Sequence, residues 1–235
     1  KSEINYKNNE QKTGLNREYI LDYSYDLGEV LTAFIPRLKG GGNSEPISEI
    51  SNTYQLLEKD QGREGANQLA KDTPLYWGSQ PINRGPIYFG ALCCFLFVLG
   101  LFVVKGKEKW WIVTAVVVAF LLSLGKNIPF LANFMIDYFP GYNKFRDVKG
   151  IVVIQQLAMS IMGLLVAKEI YSRNIDSKKF LNALKYSFFI TGGIALIFVI
   201  VPRLAGSFRG SYDEILIHQM GWPQTFIDAL VADRR

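Results

Sequence analysis

The sequence predicts an all-α fold, a fragment of a polytopic membrane protein with about four transmembrane helices and a polar segment outside the membrane. Two observations predict it. Four long uncharged apolar runs occupy residues 86–104, 110–125, 150–167 and 186–201. Charge divides along the same lines: residues 1–85 hold 10 Lys/Arg and 12 Asp/Glu, whereas residues 86–235 hold 16 and 9. The basic excess therefore belongs to the apolar part. There it reads as charge flanking membrane spans, so the expected partner is a lipid bilayer and not nucleic acid.

The organisation expected is an extracytoplasmic polar and helical segment over 1–85, a four-helix transmembrane region over 86–203 and an extracytoplasmic interfacial tail over 204–235. The chain opens on Lys1 with no signal-peptide pattern and stops inside a helical pattern at "ADRR". The expectation is an internal stretch of a longer protein whose remaining transmembrane helices would be partners.

In the polar segment, residues 26–38 suit a short amphipathic helix stopped near Pro36. "GGGN" (40–43) is a turn, and Ser48 or Ser51 could cap a helix over the stretch that follows. "GREGANQLAKD" suits a second helix, and "TPLYWGSQPINRGP" (73–86) is turn-rich.

A span needs roughly 17–25 residues. The runs at 86–104 and 150–167 reach that alone. The other two reach it with their flanks, helped by snorkelling of Lys109, Lys126 and Lys185. Each run is apolar on all faces, unlike the one-sided stripe of a soluble helix. "KGKEK" (105–109) and residues 168–185, with five Lys/Arg, read as cytoplasmic. Residues 1–85, 126–149 and 204–235 then fall outside. In the tail, residues 211–235 suit two helices broken at Gly221–Pro223.

Several chemistries are excluded within this chain. His218 is the only histidine, so neither a His-based triad nor a multi-histidine metal site can form. Cys93 and Cys94 are adjacent and lack zinc spacing. No P-loop, GxGxxG or HExxH pattern occurs. No cofactor is called for; a divalent cation bridging phosphate is compatible with the sequence but has no motif behind it.

Three stretches carry the candidate chemistry. "FPGYNKFRDVKG" (139–150) puts Lys144, Arg146 and Lys149, with Asp147, directly before the third run. Arg offers a planar fork to phosphate, Lys a point charge, and a following helix would add its N-terminal N–H groups. The same cations could simply anchor the span among lipid headgroups, or Arg146 could pair with Asp137 or Asp147. "YWGSQPINRGP" offers Trp77, Gln80, Asn83 and Arg84; an aromatic face beside amides suits a sugar, and a rigid turn needs the same residues. Gln155 and Gln156 lie within the third run, where a polar group must face a neighbouring helix or a groove. Asp22, Asp26 and Glu29 would share a face if one helix carried them, as a proton-accepting carboxylate would require. Gly192 and Gly193 suggest close helix packing or a soft point.

"YDLGEVLTAFIPRLKGGGN", "LYWGSQPINRGPIYFGALCCFLFVLGL", "SLGKNIPFLANFMIDYFPGYNKFRDVKG" and "ALVADRR" together resemble the bacterial YfhO-like integral membrane family. That family is related to the GT-C type of membrane glycosyltransferase. The resemblance implies transfer of a sugar from a polyprenyl-phosphate donor to a cell-envelope acceptor, at the outer face of the bacterial inner membrane. It implies donor-phosphate binding by Arg146, Lys144 and Lys149, sugar or acceptor contact by Trp77, Gln80 and Asn83, and groove lining by Gln155. It also implies that the catalytic acid, in that fold set in an early outer loop, lies outside this stretch. A non-catalytic membrane scaffold and a transporter or flippase module are the rivals. A transporter needs charged or broken helices near the midplane, where only the two Gln and the Gly pair stand.

Overall fold

The computed structural model describes residues 14–81, 85, 87–145, 147–172 and 175–235. Within them the protein is all-helical, with no strand. In chain order the helices are α1 (Arg17–Leu21), α2 (Leu27–Val30), α3 (Asn52–Leu69), α4 (Ala91–Val103), α5 (Lys107–Ser123), α6 (Pro129–Tyr138), α7 (Val152–Tyr171), α8 (Ser177–Ile200), α9 (Ser211–His218) and α10 (Gln224–Arg234). Contacts group the chain into two units, one of residues 1–27 and 89–193, the other of residues 28–88 and 194–235.

In the first unit α7 packs against α4 and α5. Its buried residues, Val152, Gln155, Ala158, Met159, Met162 and Val166, recur at helical spacing. A stripe on α5 (Ile112, Val116, Ala119, Leu122) does the same. At Gly100 of α4 the fit is tightest. A Cβ there would collide with Met162 Cγ and lie 2.7 Å from its Sδ and 3.3 Å from Val166. The glycine lets two helix backbones approach. Gly100→Leu is expected to lower the stability of this unit by about 1–3 kcal/mol, the usual cost of overpacking. A shift in the thermal midpoint of the detergent-solubilised protein would measure it, and an unchanged midpoint would remove Gly100 from the contact.

Gly192 and Gly193 do not serve that purpose. Nothing lies within 4 Å of a Cβ at Gly193, and only Phe188 of the same helix approaches Gly192. α8 instead buries a narrow seam of Ala183, Ser187 and Thr191. Its Ser and Thr hydroxyls donate to carbonyls one turn back, Ala183 O and Ser187 O, each at 2.8 Å.

Two helical stretches, 148–171 and α8, are each 24 residues long and apolar enough to cross a membrane by length and composition. At 1.5 Å per residue each spans about 36 Å. α4, with 13 residues, is shorter than the run at 86–104 that contains it, while α5, with 17, starts ahead of its run at 110–125 and ends two residues short of it. Residues 87–90 stay non-helical before α4, and Gly90 has φ +99°. α5 begins with Lys107, Glu108 and Lys109, so part of its length is charged.

In the second unit α3 packs against α10. Tyr54, Leu57, Ala66, Leu216, Phe226, Ile227 and Leu230 form its core. Ser51 caps α3 by accepting from Tyr54 N at 3.1 Å. The two helices expected over this stretch are present, running on from one another as the two halves of α3 across a break at Gly62, whose φ of +72° suits glycine. Asp233 of α10 accepts from the backbone N–H groups of Asn52 and Thr53, both at 2.8 Å, and so ties the start of α3 to α10.

Candidate functional site

The basic stretch before α7 is built on the first unit. α6 starts with Pro129 at its first position, where the missing N–H costs nothing. Gly141 turns the chain with φ +82°, and a 3₁₀ turn, Tyr142–Lys144, follows. Asp147 then caps a second 3₁₀ turn, Val148–Ile151, by accepting from Lys149 N at 3.0 Å. Val148 is held in a cluster with Ile20 and Ile136. α1 is fixed to α6 by Arg17, which pairs with Asp137 and donates to Asn133 Oδ1 at 3.0 Å.

These contacts place the two described cations differently. Lys144 is exposed. Lys149 leans inward: its Nζ lies 3.9 Å from Asp147 Oδ2 and 4.9 Å from the centre of the Tyr23 ring. Asp147 thus occupies an N–H that an incoming anion would otherwise use. Arg146 lies outside the described residues, so its part in this stretch stays an expectation. Nearby, burial raises the pKa of the Tyr142 hydroxyl above its ordinary value, which keeps it neutral.

Farther along α7 the two glutamines diverge. Gln156 is exposed, whereas Gln155 is 7% exposed on the packed face. The Gln155 Oε1 accepts no hydrogen bond from a described residue. A buried amide oxygen in that state costs about 1–3 kcal/mol.

Trp77 and Gln80 belong to the second unit, and both point into its interior. Trp77 is 3% exposed. Phe208 packs on its ring at 4.9 Å between centroids, and Lys39 Nζ sits 4.4 Å from its centre. Lys39 also donates to Ala205 O at 2.9 Å. Gln80 is fully buried and donates from Nε2 to Glu29 Oε1 at 3.1 Å. Tyr76 Oη and Ser79 Oγ donate to the same carboxylate, the latter at 2.8 Å. Asn83 and Arg84 lie outside the described residues.

The three outer acids do not share one helix. Asp22 follows α1 as its C-cap, Asp26 precedes α2, and Glu29 is buried within α2. What the sequence reading missed is the hub around Glu29 and a second buried charge, Arg234, locked bidentately onto Asp213 at 2.7 and 2.9 Å. The only local signal for Asp213 is its place three residues after Gly210, whose N–H it accepts at 2.9 Å. Among the described residues no group of three or more His, Cys, Asp or Glu is arranged to hold a metal.

Fold and sites together define an all-α protein with two long apolar helices, a basic turn leading into one of them, and a polar unit organised around buried Glu29 and the buried Arg234–Asp213 pair. Comparison with family models, with curated proteins and with solved structures finds no match.

Proposed function

We propose that the chain is part of a polytopic membrane protein of the GT-C type. It would help to transfer a sugar from a polyprenyl-phosphate donor to a cell-envelope acceptor, with α4, α5, α7 and α8 and their flanks as four spans. The observation that carries the membrane part is the exposure of large apolar side chains along α7 and α8. Leu157, Leu164, Phe188, Phe189 and Val199 are all more than half exposed. Helical stretches of 24 residues, 148–171 and α8, with such faces suit hydrocarbon far better than water.

The sugar-transfer part rests on the resemblance of the sequence, and the basic turn supports it by its chemistry. In this reading Lys144 and Arg146 meet the donor phosphate, and Lys149 is shared between the phosphate and Asp147. Trp77 and Gln80, closed inside their unit, support the 76–80 turn rather than touching sugar themselves, and the sugar contact falls to Asn83. Gln155, on the packed face of α7, lines the groove with an amide oxygen that no described residue engages.

The test is binding of a polyprenyl-phosphate sugar to the protein in lipid nanodiscs. Arg146→Ala is expected to weaken it by roughly 1.5–3 kcal/mol, the scale of a charged hydrogen bond, while the fold stays intact. Lys149→Ala should cost less, because Asp147 already engages that cation. Binding unchanged in both variants would leave these residues as membrane anchors and favour the scaffold.

A further inference from the structure

The second unit carries a depression that the proposed sugar transfer does not use. It has two adjoining lobes, of ≈ 350 and ≈ 260 Å³, which share Leu57, Leu69, Met220, Trp222 and Phe226 as walls. The larger falls within the usual size of small-molecule sites, roughly 300–1,000 Å³. The sequence builds it deliberately. Gly62 kinks α3, so that Asp60 and Gln61 from one half and Gln68 and Leu69 from the other border the same depression. The Gly221–Pro223 break between α9 and α10 supplies the opposite wall. Trp222, half-buried, is braced there by Phe226 at 4.1 Å between ring centroids.

We propose that this depression binds a small organic ammonium group, with the Trp222 ring and the Asp60 carboxylate as its two determinants. The charges on the walls decide the sign. Asp60 and Asp72 are the acidic residues lining the lobes, and no Lys or Arg joins them. Asp72 already accepts from Ser44 Oγ at 2.5 Å. The side chains of Asp60 and Gln61 engage no described residue by hydrogen bond or ion pair. The nearby cation Arg63 is turned to Glu49 at 3.6 Å. Two carboxylates repel an anion, and a purely apolar guest would strip water from Asp60 without compensation. A hydrated metal ion gains nothing from Leu, Met and Trp walls. An alkylammonium fits both sides: its charge attracts the carboxylate and the indole face, and its methyl or methylene groups cover the apolar wall.

The proposal does not rest on sugar transfer. It is tested on the whole protein in phosphatidylglycerol nanodiscs, which present no ammonium headgroup. The four Trp residues are labelled as 5-fluorotryptophan, and the Trp222 ¹⁹F resonance is the one lost in Trp222→Phe. Tetramethylammonium chloride should move that resonance saturably, whereas sodium chloride at equal ionic strength should not. Asp60→Asn, at an exposed position, should keep the spectrum dispersed and weaken binding by about tenfold or more. The proposal is overturned by the absence of a saturable shift, by equal affinity in Asp60→Asn, or by saturation with methyl β-glucopyranoside in place of the ammonium.

Discussion

Replacing Arg234 by methionine is expected to destabilise the second unit by about 3–5 kcal/mol, the cost of stranding a buried charge. The Arg234 side chain is 0% exposed and that of Asp213 is 4%. Beyond its two bonds to Asp213, the guanidinium donates to Phe208 O at 3.1 Å, to Pro74 O at 2.7 Å and to Tyr76 O at 3.2 Å. One side chain thereby joins α10, the start of α9 and the 74–76 segment. Methionine would fill the space but leave the Asp213 carboxylate charged and three carbonyls without this donor. Hydrogen exchange read by mass spectrometry reports the loss locally. Peptides from 28–88 and 194–235 should exchange faster, while those from 89–193 serve as the internal reference. Adding Asp213→Leu to Arg234→Met should recover part of the loss, because the stranded charge goes with it. Protection equal to wild type in the single variant would show that the pair contributes nothing net.

That staple was invisible in the sequence for a physical reason. Nothing local in "ADRR" marks Arg234 for burial, because its partners lie 21 to 160 positions away and no local period announces them. Interactions with a local signature were legible. The apolar runs give the all-α class, Ser51 marks the start of α3, and Gly221–Pro223 separates α9 from α10. Glycine shows both sides. Gly192 and Gly193 look like a packing motif yet meet no neighbouring helix, while the unremarked Gly100 meets Met162. Spacing cannot tell which face of an all-apolar helix turns toward a neighbour. Run length likewise overstated α4, because composition does not register the non-helical residues 87–90. In the basic turn, position and charge could be read directly. The turn of Lys149 toward Tyr23 and Asp147 could not, because Tyr23 is brought there by tertiary packing.

Truncating Glu29 to alanine should cost about 2–4 kcal/mol, because the damage falls on its partners. Glu29 is 2% exposed, Tyr76 1% and Gln80 0%. Tyr76 Oη donates to the Glu29 carboxylate and accepts from Gln80 N at 3.2 Å, so the hydroxyl relays one bond into the next. Without the carboxylate, the donors of Tyr76, Ser79 and Gln80 would lose a shared acceptor in a dry interior, each unsatisfied group costing about 1–3 kcal/mol before water or rearrangement offsets it. The enclosure is tight: a Cβ at Gly78 would collide with both Tyr76 Oη and the Glu29 carboxylate. Glu29→Gln keeps one acceptor oxygen but turns an NH₂ toward a donor, so its cost should be about half that of alanine. The pair of variants also separates two roles for the 76–80 turn. If the turn only supports the unit, Glu29→Gln lowers the denaturation midpoint and leaves donor affinity per folded molecule unchanged. If Gln80 or Trp77 touches sugar, the same variant should change affinity at temperatures where the protein is fully folded. The burial of both side chains favours the first result, and a change in affinity without loss of stability would overturn it.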